Sequence, residues 1–337
     1  MATQPQSQQP NPLLIFDALN SYQRALALKT AIELEVFTHI AAGATSAAEI
    51  ARRSKASERG IRILCDFLVI GGFLIKQNGA YGLTPDTAVF LDQKSPAYLG
   101  SIAFFLVHPH HITNYMDLTA AVRKGGTVHG EGNMDPENPL WVDFARWMAP
   151  ISAHSAAALA QILNTPGQSM KVLDIAAGPG AYGIEIAKLN PKAEIYALDW
   201  RNVLELSSEH ARQAGVGDRY HTIPGSAFDV DLGTGYDVIL LPNFLHHFDH
   251  ATNVKLLKRV RAALRPGGQL ATVEFVPNPD RVSPPEAASF SMMMLGSTAA
   301  GDAFTLAELE TMFRDAGFGA SHAHPLGPQT LILTNYE

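Results

Sequence analysis

Residues 172–187 read VLDIAAGPGAYGIEIA. An apolar run ends in a turn holding Gly178, Gly180 and Gly183 at G-x-G-x-x-G spacing, and a helical pattern starts at once. Glycines in that position let the backbone turn tightly, so that a ligand can approach the amides at the helix start. The spacing alone is common in loops that bind nothing; its place between a strand and a helix gives it weight. Outward from this point the chain alternates. Strand-like runs KVLDIAA, AEIYALD, YHTIPG, YDVILL, QLATVEFV and QTLILTN are separated by helical stretches. The alternation predicts an α/β core over 167–337, built on a parallel, doubly wound sheet.

Two acids separate the ligand classes. Asp199 ends the second of these strands, where a carboxylate can accept hydrogen bonds from both hydroxyls of a ribose. Asp174 lies inside the first strand, four residues before Gly178. An ionised carboxylate there is costly unless it meets a positive or donor-rich partner. The pyrophosphate of a dinucleotide would be repelled. The methionyl end of S-adenosylmethionine carries an ammonium and would be attracted, directly or through water. The alternative for Asp174 is a carboxylate that only caps nearby amides.

Upstream, apolar residues from Leu13 to Leu28 recur at three- and four-residue steps, and LALKTAIELEVFTHI continues as a second helix. TSAAEIARRS opens with Ser46 and Glu49 at capping-box spacing. SERGIRILCDFLVIGG is a further helix, and FLIKQNGAYGLT reads as a hairpin turning at Asn78-Gly79. Three helices and a hairpin outline a winged helix over 12–100. One reading makes it a DNA-binding regulator. The presumptive groove helix offers Arg59 and Arg62 but turns almost wholly apolar, and the wing offers only Lys76. A packing or dimerisation module is favoured, its apolar first helices covered by a second subunit. Residues 101–166 are mainly helical and rich in aromatics, with a loop, RKGGTVHGEGNMDPENP, between.

The 337 residues suit two domains with real cores, 47% being hydrophobic. A net charge of −7 disfavours a nucleic-acid partner. The single cysteine, Cys65, excludes a disulfide framework and a cysteine zinc site. The Gln- and Pro-rich stretch 1–11 is expected to be a disordered tail with no signal-peptide layout. No apolar run approaches the roughly 20 residues needed to span a bilayer. A soluble, cytoplasmic protein without a membrane partner is expected.

LDIAAGPGAYG with Asp199 resembles the first two motifs of class I S-adenosylmethionine-dependent methyltransferases. The winged-helix front end and LHHFDHATNVKLLKRVRAALRPGG resemble the small-molecule O-methyltransferases of plant phenolic and bacterial natural-product pathways. The resemblance covers nearly the whole chain after the tail. It implies a Rossmann-like sheet, S-adenosyl-L-methionine as cofactor, a homodimer and a small, aromatic hydroxyl acceptor. Cofactor contacts then fall on Asp174, Gly178, Gly180, Asp199, Trp200 and Asn243. The family's adenine loop, commonly Gly-Asp-x-Phe, is Gly225-Ser226-Ala227-Phe228 here, so Ser226, Ala227 and Phe228 take that place. A helix closing over the cofactor matches at Phe144, Met148 and Ser152.

The histidines of LPNFLHHFDH (241–250) follow the fourth strand. As metal ligands they lack a motif such as H-E-x-x-H, as do His108, His110 and His111, and no metal is expected. As a base, His246 stands just beyond strand four and Glu274 ends strand five, strands that are adjacent in the sheet the resemblance implies. A carboxylate accepting from one ring N–H fixes the tautomer and leaves the other nitrogen basic. The family's base opens a His-Asp-Trp run; His247 and Phe248 replace its last two residues, and Ala303 stands where a second carboxylate would flank the base, with Asp302 beside it. His247 is the rival base, and a structural role for His246 the alternative. Phe104, Phe105, Phe144, Trp147, Met148 and FSMMMLG (290–296) suit an aromatic acceptor, with Met148, Met292 and Met293 favoured for contact; such stripes are also ordinary core. The altered run leaves C- or N-methylation, or a non-methylating use of the cofactor, as the rival chemistry.

Overall fold

The computed structural model describes residues 10–129, 138–163 and 167–336. Residues 1–9 of the expected tail, 130–137 of the glycine-containing loop and the 164–166 junction lie outside the described residues. The chain forms two compact units that divide between His108 and Pro109.

In the first unit, α1 (Leu13–Glu33), α2 (Val36–Ala41), α3 (Ala47–Arg53) and α4 (Glu58–Ile70) precede a hairpin of β1 (Leu74–Gln77) and β2 (Ala80–Leu83). Helices α5 (Pro85–Phe90) and α6 (Ile102–Leu106) follow. The first helix break falls later than the apolar pattern suggests, at Glu35, whose φ of 53° turns the chain into α2. Ser46 caps α3 by accepting from the Glu49 amide, but the Glu49 carboxylate pairs with Arg53 rather than completing the box. Asn78 and Gly79 both take positive φ, 50° and 82°, as a two-residue hairpin turn of the strand-matching hand requires. Phe37, Ile50, Ile61, Leu68 and Leu74 form the centre of this unit's core. Outside it, Leu13, Leu14 and Leu19 of α1 are 67%, 79% and 69% exposed.

In the second unit, α7 (Pro109–Met116), α8 (Leu118–Lys124) and α9 (Pro139–Ile162) lead into the sheet. There follow β3 (Met170–Ile175), α10 (Ala181–Leu189), β4 (Ala193–Asp199), α11 (Arg201–Gln213), β5 (Tyr220–Pro224), β6 (Tyr236–Pro242), α12 (His250–Ala263) and β7 (Leu264–Glu274). The chain ends with α13 (Pro285–Ala288), α14 (Phe290–Ser297), α15 (Leu306–Asp315), β8 (Ser321–Leu326) and β9 (Gln329–Asn335). The strand order is β5-β4-β3-β6-β7-β9-β8. Strands β3 to β7 are parallel, and β9 runs antiparallel to both β7 and β8. The order reverses between β3 and β6, which opens a crevice at their carboxyl ends.

Helices cover both faces, so β3 and β6 read as near-continuous apolar runs; Val172, Leu173, Ile175, Ile239, Leu240 and Leu241 are buried. The last expected strand, QTLILTN, is antiparallel because a hairpin rather than a helix brings it back. Its partner β8, SHAHPL, carries no apolar signal. It is an edge strand with mostly solvent-facing residues, where a proline costs no ladder bond.

Candidate active site

The carboxyl ends of β3 and β4 build the first half of the site. Gly180 caps the start of α10 at a φ of 80°. A Cβ on Gly183 would stand 2.6 Å from Ile195 Cγ2 and 3.1 Å from Asp174 Oδ2, so the missing side chain lets α10 settle onto the sheet. Asp174 is fully buried. Its Oδ2 accepts from the Gly183 amide at 3.1 Å, while Oδ1 has no partner among the described residues. Burial pushes this carboxyl up to about 7, against the pull of the Gly183 amide. Asp199 is better served: Oδ2 accepts from the Gly178 amide at 2.8 Å and Oδ1 from the Trp200 amide at 2.7 Å. Burial still raises it to about 6. Each Asp199 oxygen keeps a lone pair, enough for two ribose hydroxyls. The Gly178 amide is thus committed to Asp199 and pins the glycine turn to β4.

An orphaned acceptor on a fully buried carboxylate is unusual and calls for a donor. The Asp174 Oδ1 atom therefore fits a donor such as the ammonium of an amino-acid tail better than a diphosphate, which brings no donor. Around it, Ser155 of α9 bonds the buried Tyr182 hydroxyl at 2.9 Å, one turn along from Ser152. Ala176 and Asn243, beyond β3 and β6, take φ of 55° and 53°, a conformation asparagine tolerates better than alanine.

The second half lies past β6 and β7. Leu245–His247 form a single 3-10 turn. Glu274, 3% exposed, accepts from the Phe244 and Leu245 amides at 3.0 and 2.9 Å with one oxygen. Its other oxygen lies 2.6 Å from His246 Nδ1. One carboxylate thus caps the turn and orients the ring. His246 is itself buried, and its Nε2 has no hydrogen-bond partner among the described residues. The His247 ring lies 4.4 Å from it, centroid to centroid, and burial with the neighbouring His246 holds that imidazole well below its usual value. Asp302 does not flank His246 with its carboxylate, which pairs with Arg281 at 3.2 Å; its amide instead donates to the His246 carbonyl at 3.0 Å. Ala303 is fully buried.

The remaining expected residues are less converged. Ser226 Oγ accepts from the Phe228 amide at 3.1 Å, and Ala227 is buried beneath. Phe228 stands edge-on to Phe248 at 5.1 Å, within an aromatic cluster that includes Phe244. Phe144 and Met148 lie half-buried on α9. On α14, Phe290 meets the His246 ring edge-on at 4.8 Å, and it stacks on Phe275 at 4.3 Å. Met293 and Met294, three and four residues on, share that helix face; Met292 does not and is 47% exposed. Phe275 and the Gly301–Asp302 contact gave no signal in the sequence. Among the described residues no group of three His, Cys, Asp or Glu side chains could hold a metal, and no helix is long and apolar enough to cross a membrane.

Comparison with known proteins gives the family. Residues 115–319 match the O-methyltransferase domain family, and 16–93 match the O-methyltransferase dimerisation domain. A solved structure from Nostoc punctiforme PCC 73102, provisionally described as an O-methyltransferase, is 48% identical with a TM-score of 0.93, over 97% of this chain and 100% of that one. The 3-hydroxy-5-methyl-1-naphthoate 3-O-methyltransferase of Streptomyces sahachiroi is 30% identical over 91% of this chain and 89% of its own. The S-adenosyl-L-methionine-dependent methyl transferase PigF of Serratia sp. is 27% identical over 94% of each. The chain belongs to the O-methyltransferase family and carries that family's dimerisation domain.

Proposed function

We propose that this protein methylates a hydroxyl of a small aromatic metabolite from S-adenosylmethionine, with His246 as general base, and works as a cytoplasmic homodimer through its first unit. The observation that carries the reading is the buried His246–Glu274 pair at 2.6 Å, at the same carboxyl end of the sheet as the unfinished Asp174. Bound S-adenosylmethionine supplies a methyl group already activated on its sulfonium. Asp174 holds the ammonium and Asp199 the ribose hydroxyls, and Gly178, Gly180, Trp200 and Asn243 shape the crevice between them. Ser226, Ala227 and Phe228 frame the adenine, with Phe144, Met148 and Ser152 as the cover. Met293 and Phe290 face the acceptor.

Glu274 fixes the proton of His246 on Nδ1 and leaves the Nε2 lone pair to take the acceptor's proton. A free phenol near 10 and an imidazole near 6.5 differ by about 3.5 units, so complete proton transfer before attack would cost roughly 5 kcal/mol. Proton removal therefore accompanies attack, and alignment of the acceptor oxygen supplies most of the remaining rate. Among the described residues His247 meets no carboxylate that could stabilise its imidazolium, which favours His246. On the first unit, Arg62 and Lys76 both pair with Asp66, at 3.2 and 2.5 Å. That one carboxylate offsets part of the positive charge a DNA-reading wing would need. The exposed leucines of α1 suit a second copy instead.

The test is turnover of labelled S-adenosylmethionine across a library of phenols. His246→Ala is expected to lower turnover on the best acceptor by about 100-fold or more; unchanged turnover contradicts the assignment of the base.

A further inference from the structure

We infer that the strap Thr298–Asp302, which links α14 to α15, positions His246 for catalysis and that Gly301 is its critical residue. The inference rests on His246 being the base. The 3-10 turn that carries His246 is only three residues long; its own bond, from the Phe248 amide at 3.2 Å, reaches the Leu245 carbonyl and leaves the His246 carbonyl to an outside donor. Three outside groups hold it. Glu274 takes the amides of Phe244 and Leu245. Asn253 donates to the carbonyls of Leu245 and Phe248 at 2.9 and 3.3 Å. The His246 carbonyl itself is held by the Asp302 amide at 3.0 Å.

For that last bond the strap must touch the turn. A Cβ on Gly301 would overlap the His246 carbonyl oxygen, and would lie 2.7 Å from Thr298 Oγ1 and 3.0 Å from the His247 carbonyl carbon. Two of these three neighbours are backbone, so relief requires the turn or the strap to shift. The strap is stiff. Thr298 Oγ1 donates to the Met294 carbonyl at 2.7 Å and accepts from the Gly301 amide at 2.8 Å. The Thr298 carbonyl accepts from the Thr127 amide at 2.8 Å. Glu274 sits on β7, fixed in the sheet. A displaced strap therefore moves His246 relative to Glu274 and lengthens the 2.6 Å bond that sets its tautomer. Gly301 and Thr298 act through His246, not on the reacting atoms.

The experiment compares wild type, His246→Ala, Gly301→Ala and Thr298→Val on two acceptors: the best phenol and an electron-poor analogue already ionised at the assay pH. Binding of S-adenosylhomocysteine, read by calorimetry, reports whether the cofactor end is intact. Gly301→Ala is expected to lower kcat on the ordinary phenol about 100-fold, to spare the ionised analogue, and to leave S-adenosylhomocysteine affinity unchanged. Thr298→Val is nearly isosteric and removes both hydrogen bonds of Oγ1, the one to the Met294 carbonyl and the one from the Gly301 amide; the same selective pattern is expected at about fivefold. If Gly301→Ala no longer binds S-adenosylhomocysteine, Thr298→Val alone decides. Equal losses on both acceptors, or no loss, overturn the inference. His246→Ala that fails to distinguish the acceptors instead overturns the base assignment. A selective His246→Ala beside unaffected strap variants sinks the strap alone.

Discussion

Asp174 and Glu274 are both buried carboxylates at the same end of one sheet, yet the protein treats them in opposite ways. Glu274 is complete: two amides and an imidazole share its two oxygens. Asp174 receives one amide on one oxygen and, among the described residues, nothing on the other. A satisfied buried acid is held by its own chain. An unsatisfied one is a cost that folding alone does not repay, and a ligand bearing a cation removes it. Under the proposed function, the contrast separates a group that orients the base from a group that receives the cofactor.

Breaking the complete acid is expected to have the largest effect. Glu274→Gln can still accept from the Phe244 and Leu245 amides, but its own NH2 then faces His246 Nδ1 and favours the wrong tautomer. Steady-state kinetics should show kcat lower by about 100- to 1,000-fold with S-adenosylhomocysteine binding unchanged; a parallel loss of binding would show that Glu274 supports the whole crevice.

Breaking the unfinished acid should act on binding instead. Asp174→Asn removes the charge and is expected to weaken S-adenosylhomocysteine about 10- to 100-fold by calorimetry, with a smaller effect on the turnover of saturated enzyme.

The same acid sets a pH dependence of the protein without ligand. Its carboxyl ordinarily titrates near 3.8 and stands at about 7 in the fold. Between those values the native state binds a proton that the unfolded state lacks, so stability falls as pH rises from about 4 to about 7. Asp199, at about 6, acts in the same direction. Urea midpoints at pH 5 and pH 7 should show wild type losing stability relative to Asp174→Asn, by at most roughly 1.4 kcal/mol per pH unit. Parallel curves would mean that Asp174 is not protonated in the empty protein.

The smallest effect concerns the residue that turns the chain after Asp174. Ala176 holds a φ of 55°, so Ala176→Gly should stabilise the protein by about 1 kcal/mol in thermal melts without altering kcat. A loss of stability would mean that its methyl group packs usefully.

Much of this was legible in the sequence because local rules and global fold agree there. The Asn78-Gly79 turn needs two positive φ values, and both are present. The His246–Glu274 pairing follows once β6 and β7 are neighbours. Other features left no trace. Edge strand β8 buries too little to impose alternation, and its His322, His324 and Pro325 read as loop. Phe290 could not be told from the methionines beside it until the phase of α14 was known. The Asp302 contact is made by a main-chain amide, which every residue but proline possesses. Gly301 was visible only as one glycine among 27.

The sharpest measurement is a pair of calorimetric titrations, with S-adenosylhomocysteine and with methylthioadenosine, which lacks the amino-acid tail, on wild type and Asp174→Asn at pH 8. Wild type should prefer the tailed ligand strongly, and the substitution should erase most of that preference while leaving methylthioadenosine affinity nearly unchanged. An undiminished preference in Asp174→Asn would show that the unpaired oxygen of Asp174 is not where the cofactor's ammonium is received.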